Sequence, residues 1–271
     1  MRRPSRLARF LASAAVTAML AAGLGGCQTM GDVAGALTSK GTDPNFDTDP
    51  RRAAEVYGER YRANPKDADA ALRYGHALRA TGQRVQAAAM LEQASIANPG
   101  NKALLAAYGR ALVDNGNFQR AFDVLSRAHT PANPDWRILS VQGAALDQMG
   151  KHEEARGYYE SALRIVPGEP SVLSNLGLSY VLTRDLPKAE EILRKAQANG
   201  RADGRVRQNL ALAVGLQGRF AEAESIARAD LPPDEAAANV AYLKQMLAKK
   251  DNPRTAARGK PPVMAQQDQA D

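Results

Sequence analysis

Cysteine is almost missing from this chain, and histidine and aromatic residues are scarce. Cys27 is the single cysteine in 271 residues, and it cannot form an intramolecular disulfide. His76, His129 and His152 stand apart, with no HExxH motif and no Cys/His cluster at metal-ligand spacing. No glycine loop precedes a lysine and a hydroxyl residue, so nothing is built to cradle a phosphate chain. Aromatics make up 5% of the residues, which argues against a β-sandwich and for closely stacked, alanine-rich helices. No apolar run reaches the roughly 20 residues that cross a bilayer comfortably. A strong charge of one sign is lacking too. The net charge is +7, but Arg2, Arg3, Arg6 and Arg9 crowd the start of the chain, and without them it is +3. Both signs mix along the rest, as on an ordinary solvated surface, so nucleic acid is not an expected partner. Together these absences predict a protein that is not an enzyme, with no cofactor, no metal and no small-molecule substrate.

What the chain does have is period. Ala53, Ala87, Ala121, Ala155, Ala189 and Ala223 follow one another at a constant step of thirty-four positions. Gly75, Gly109, Gly143, Gly177 and Ala211 keep the same step, as do Ala94, Ala128, Ala162 and Ala196. A fourth column runs Gly82, Gly116, Gly150, Arg184, Gly218. In-phase columns at one period mark a helical repeat array. Within each unit the apolar residues step by three and four, as in Ala71, Tyr74, Gly75 and Leu78, then Ala87, Leu91 and Ala94. Gly82 supplies the left-handed cap between the two helices, and Pro99 keeps the next helix from fusing backward. The reading divides 49–250 into a half repeat over 49–67 and repeats over 68–101, 102–135, 136–169, 170–203 and 204–237. A capping helix over 234–250 closes it, with Asp234 as its N-cap and a stripe of Val240, Leu243 and Leu247. Residues 251–271 are predicted to be a disordered tail.

These columns resemble the tetratricopeptide repeat, whose large, small, aromatic and proline slots recur over about 34 residues. The resemblance implies an all-α, right-handed superhelical solenoid of helix-turn-helix pairs. Asn133 and Arg201 depart from it at proline slots, and Arg184 at a turn glycine. In such arrays the first helix of each unit lines the concave groove. By that analogy the protein-binding groove shows His76, Arg79, Arg110, Asp114, Arg137, Ser140 and Asp147, then Ser174, Leu178, Gln208 and Leu212. The groove is expected to be basic and polar toward the N-terminus and more apolar toward the C-terminus, suiting a peptide of mixed character. Ordinary solvated helix residues would look the same one at a time. The chaperone-tail clamp of some eukaryotic relatives needs Lys and Asn where this chain has Leu72 and Ala107, so that clamp is not expected. Tyr74, Tyr108, Tyr159 and Tyr180 fall in core columns.

The N-terminus reads as an address. A charged stretch over 1–9 precedes an apolar run over 10–24, then Leu24-Gly25-Gly26-Cys27. This resembles the lipobox of bacterial lipoproteins, which implies a signal peptide over 1–26 and acylation of Cys27. Several acyl chains hold a protein on a membrane where one binds only marginally. Gln28 in place of aspartate implies, by the same analogy, sorting to the outer membrane. An ordinary secretory signal or an uncleaved anchor, with Cys27 incidental, are the plainer readings. Residues 27–48 lack helical period and form a flexible tether with a reach of about 25 Å. The Leu24–Cys27 box, the DTDPRRAAEVYGERY segment and the NVAYLKQM helix together resemble the TadD family of Tad/Flp pilus assembly lipoproteins. That resemblance implies a pilotin-like adaptor on the periplasmic face of the outer membrane, with a secretin or other pilus assembly component as partner. An adaptor for peptidoglycan enzymes, or a lipoprotein of another envelope export system, is the alternative.

Overall fold

The structure is a computed structural model that describes residues 49–251. The leader over 1–26, Cys27, the tether over 27–48 and the tail beyond 251 lie outside the described residues. Among the described residues the chain is all-α: helices α1 (Pro50–Ala63), α2 (Ala68–Ala80), α3 (Arg84–Ala97), α4 (Lys102–Asp114), α5 (Phe118–Ser126), α6 (Trp136–Gln148), α7 (His152–Ile165), α8 (Pro170–Thr183), α9 (Leu186–Gln197), α10 (Gly204–Leu216), α11 (Phe220–Ala227) and α12 (Pro233–Asp251). One isolated bridge, Thr130 to Asn133, is the nearest thing to a strand among them. The helices pair as the hairpins α2–α3, α4–α5, α6–α7, α8–α9 and α10–α11, with α1 before them and α12 after them.

Each first helix starts on a cap that the sequence repeats. Asp67, Asn101, Asp135, Glu169 and Asp203 stand one repeat apart, and the side chain of each accepts a backbone N–H from the first turn that follows. A cap of this kind is worth about 1 kcal/mol. The sequence reading missed this column because its residue type varies while its chemistry does not. Asp49 caps α1 in the same way, ahead of Pro50 in the first turn.

Each hairpin turn closes in one geometry. The N–H of Gln83, Asn117, Lys151, Asp185 and Arg219 reaches back to the carbonyl of Leu78, Leu112, Leu146, Tyr180 and Val214 respectively. This is the Schellman closure, which needs a left-handed residue just before the donor. Gly82, Gly116, Gly150 and Gly218 fill that slot with φ between 76° and 84°. Arg184 fills it at φ 65°, carrying a Cβ into a region that disfavours one. Replacing Arg184 with glycine is therefore expected to raise stability by about 1 kcal/mol, read as a higher urea midpoint.

Packing inside a hairpin explains the glycine column. A Cβ on Gly75 would lie 2.8 Å from Leu91, on Gly143 2.6 Å from Tyr159 and on Gly177 2.6 Å from Leu193, and one on Gly109 would press harder still on Leu125. Glycine lets each first helix sit on a large, fully buried side chain from the second. The last hairpin inverts the pair: Ala211 replaces the glycine, and Ala227 replaces the large residue that follows it in the second helix. The alanine columns at 53 to 223 and 94 to 196 pass through the same seams, and from Ala87 onward they are buried. Buried clusters succeed one another along the array rather than gathering at one centre.

The cap differs slightly from expectation. Helix α12 begins at Pro233, so Asp234 lies in its first turn instead of capping it. Proline tolerates the first helical position and extends the helix backward. Leu243 is buried against Gly215 of α10, with Val240 and Leu247 partly covered, as the stripe predicts.

Candidate functional site

The first helices lie side by side, and polar bonds 35 residues apart stitch them into a wall. Arg79 of α2 forms an ion pair with Asp114 of α4. Asn175 of α8 donates to Ser140 of α6 at 3.1 Å, and Asn209 of α10 donates to Ser174 of α8 at 2.9 Å. Each of these pairs joins one unit to the next, so the wall's spacing is fixed by hydrogen bonding as well as by apolar packing.

These bonds place the expected groove residues in two groups. Ser140, Ser174 and Asp147 are buried and joined to other helices, and Arg110 is buried as well. Asp147 is the most heavily used: its carboxylate accepts from the Tyr159 hydroxyl at 2.9 Å and the Ser179 hydroxyl at 2.8 Å, and it pairs with His152 Nδ1 at 2.8 Å. Burial pushes the Asp147 carboxyl up, against the pull of those three hydrogen bonds. Burial also raises the Tyr159 hydroxyl, with the neighbouring Asp147 charge adding to it. Three donors on one carboxylate tie α6, α7 and α8 together.

The second group faces outward at least in part: His76, Arg79, Asp114, Arg137, Leu178, Gln208 and Leu212 are all half-buried. One slot of the repeat carries His76, Arg110, Ala144, Leu178 and Leu212 in succession along the array. The wall therefore changes from polar to aliphatic along its length. At the N-terminal end burial, with the charges of Arg79 and Arg110, lowers His76 to about 4, so its ring is neutral near pH 7. At the C-terminal end Leu182 and Leu216 follow Leu178 and Leu212 by one helical turn and are half-buried with them. The sequence reading passed over these two leucines, although their i+4 spacing was the available signal. Between the ends, the Arg137 guanidinium lies 4.5 Å from the centroid of the Trp136 ring, a cation–π contact at the start of α6.

On the outer side, second helices pair by charge. Glu92 meets Arg120, and Arg194 meets Glu222, the same two slots with the signs exchanged. These side chains are a third to a half exposed, so each pair contributes about 0–1 kcal/mol.

Among the described residues no helix is long and apolar enough to cross a membrane, and no group of three or more His, Cys, Asp or Glu could hold a metal ion.

Comparison with known proteins agrees with this geometry. The tetratricopeptide-repeat family model matches residues 79–142 and 148–213. No curated protein matches the sequence. Among solved structures, a thermophilic TPR protein of Thermus thermophilus aligns at a TM-score of 0.58 and 24% identity, over 66% of this chain and 99% of that one. A chain of the APC/C hetero-tetramer Cut9–Hcn1 aligns at 0.57 and 16% identity, over 80% of this chain and 44% of that one. The protein MamA aligns at 0.48 and 22% identity, over 58% and 95%. For the first two, at these identities, the likeness concerns the fold alone.

Proposed function

We propose that this protein, a tetratricopeptide-repeat scaffold for protein–protein interaction, works as an envelope adaptor: Cys27 carries lipid, the tether spans the headgroups, and the inner wall holds a protein partner. The observation that carries the binding part is the graded slot from His76 and Arg110 to Leu178 and Leu212. A wall graded in this way fits an extended segment of mixed polarity. Its chemistry is complementary to side chains, and the adaptor's work would be placement rather than catalysis.

The finer reading is a pilotin-like factor of a Tad/Flp pilus, on the periplasmic face of the outer membrane, handling a secretin or another assembly component. It is supported by the lipobox-like Leu24–Cys27 segment and by the resemblance of the DTDPRRAAEVYGERY and NVAYLKQM segments to that family. Anchoring would strengthen weak groove contacts by raising the effective concentration of the site at the membrane. Membrane fractionation of Cys27→Ala tests the anchor: the variant should leave the outer-membrane fraction, and unchanged fractionation refutes lipidation there. Cross-linking in detergent followed by mass spectrometry tests the partner. A secretin supports the pilus reading, and peptidoglycan hydrolases or synthases without a secretin overturn it.

A further inference from the structure

Arg110 is the anomaly of the inner wall. Only 7% of its surface is exposed, yet its Nε is buried with no hydrogen-bond partner. Among the described residues it forms no ion pair. The two carboxylates in range are already engaged: Asp114 pairs with Arg79, and Asp135 accepts the backbone N–H of Arg137 at 2.8 Å as the cap of α6. Burial lowers the Arg110 guanidinium to about 10; the positive charges of Arg79 and Arg137 push in the same direction, and the carboxylates of Asp135 and Asp114 oppose them without restoring the ordinary value. Keeping a cation out of water without a directly paired counter-charge costs several kcal/mol. The neutral His76 in the neighbouring unit supplies no negative charge either.

We infer that Arg110 is the receptor for a carboxylate of the bound partner, an aspartate or glutamate side chain of a segment lying along the wall, with an apolar side chain of the same segment seated against Leu178 and Leu212. This rests on the reading of the inner wall as the partner site. A guanidinium matches a carboxylate through two parallel hydrogen bonds, and a side chain this buried has little freedom left to lose on binding. The charge balance points the same way: Arg79, Arg110 and Arg137 stand against Asp114 and Asp135, leaving one positive charge uncompensated at the buried site. Spacing follows from the fold. Packed helices lie about 8–10 Å apart, so α4 and α8, two steps along the wall, are separated by about 16–20 Å. An extended peptide rises about 3.3 Å per residue, which places the acid and the apolar residue about five or six positions apart.

Panning a random dodecapeptide phage library against the immobilised full chain tests this. The expected selection enriches an aspartate or glutamate five or six positions from a large apolar residue. The same panning against Arg110→Met should lose the acid and keep the apolar residue. A selected peptide, synthesised with its acid changed to the amide, should bind the wild type at least tenfold more weakly and bind Arg110→Met as the parent peptide does. Methionine fills the arginine stem without a charge, and the peptide-side change leaves the protein untouched. Enrichment of apolar residues with no acid, or an acid preference that survives in Arg110→Met, overturns the carboxylate receptor and leaves the wall as a binding site. A library that yields no enrichment, or peptides whose binding is unaffected by Leu178→Asp, removes the wall as the partner site and the receptor with it.

Discussion

Asp147→Ala should lower stability by about 3–5 kcal/mol, a large effect for a single polar side chain. The carboxylate serves the Tyr159 and Ser179 hydroxyls and His152 Nδ1 at once. Its removal leaves the fully buried Tyr159 and Ser179 hydroxyls with no acceptor, and each buried orphan costs about 1–3 kcal/mol. Tyr159 is 1% exposed and cannot turn its hydroxyl to solvent without unpacking the α6–α7 hairpin. Urea denaturation followed by circular dichroism measures the total. Hydrogen exchange should show protection falling first in α6, α7 and α8, because a repeat array loses stability locally. Asp147→Asn keeps one carbonyl acceptor and should cost about half as much. A loss below about 1 kcal/mol for the alanine variant, less than one buried orphan costs, would mean the carboxylate is not the tie between these helices.

Leu125→Ala should cost about 2–5 kcal/mol on its own, as deleting a fully buried leucine does. Gly109→Ala should also destabilise, because its Cβ would overlap Leu125 Cγ. Overpacking of that kind costs about 1–3 kcal/mol, partly offset by the better helix propensity of alanine, about 1 kcal/mol. The two changes together should cost less than their sum by at least about 1 kcal/mol, since the new methyl enters the space the leucine leaves. The protein already contains this combination, with Ala211 and Ala227 at the corresponding slots of the last hairpin. A double-mutant cycle read by urea midpoints decides it. Strict additivity would show that glycine and leucine in this seam act independently.

The array was legible in the sequence because its determinants are local and repeated. A glycine that must meet a large side chain of the following helix recurs in unit after unit, so the period exposes the packing without coordinates. The hairpin turn is equally local, and the exception at Arg184 was visible as a break in a column. Other features depended on how one unit is rotated against the next. Ser140 and Asn175 look like two unrelated polar residues until a 35-residue offset brings their helices together. Asp147 reads as a groove acid by its slot, but Tyr159 and Ser179 arrive from α7 and α8 and engage it. Arg110 reads as a groove arginine by its slot; its burial depends on what α2 and α6 place beside it. The contact of Gly215 with Leu243 was hidden because the cap helix lies outside the period.

The Schellman turns hold each hairpin shut, the 35-residue stitches join neighbouring units, and the principal helix packings reach only one or two helices along the chain. Mechanically, such a body is a coil spring. Tension at its two ends is shared among the hinges in series, each opening by a small angle, so the whole lengthens smoothly before any seam tears. Held at one end and loaded along its inner wall, it would absorb movement of its cargo as recoil.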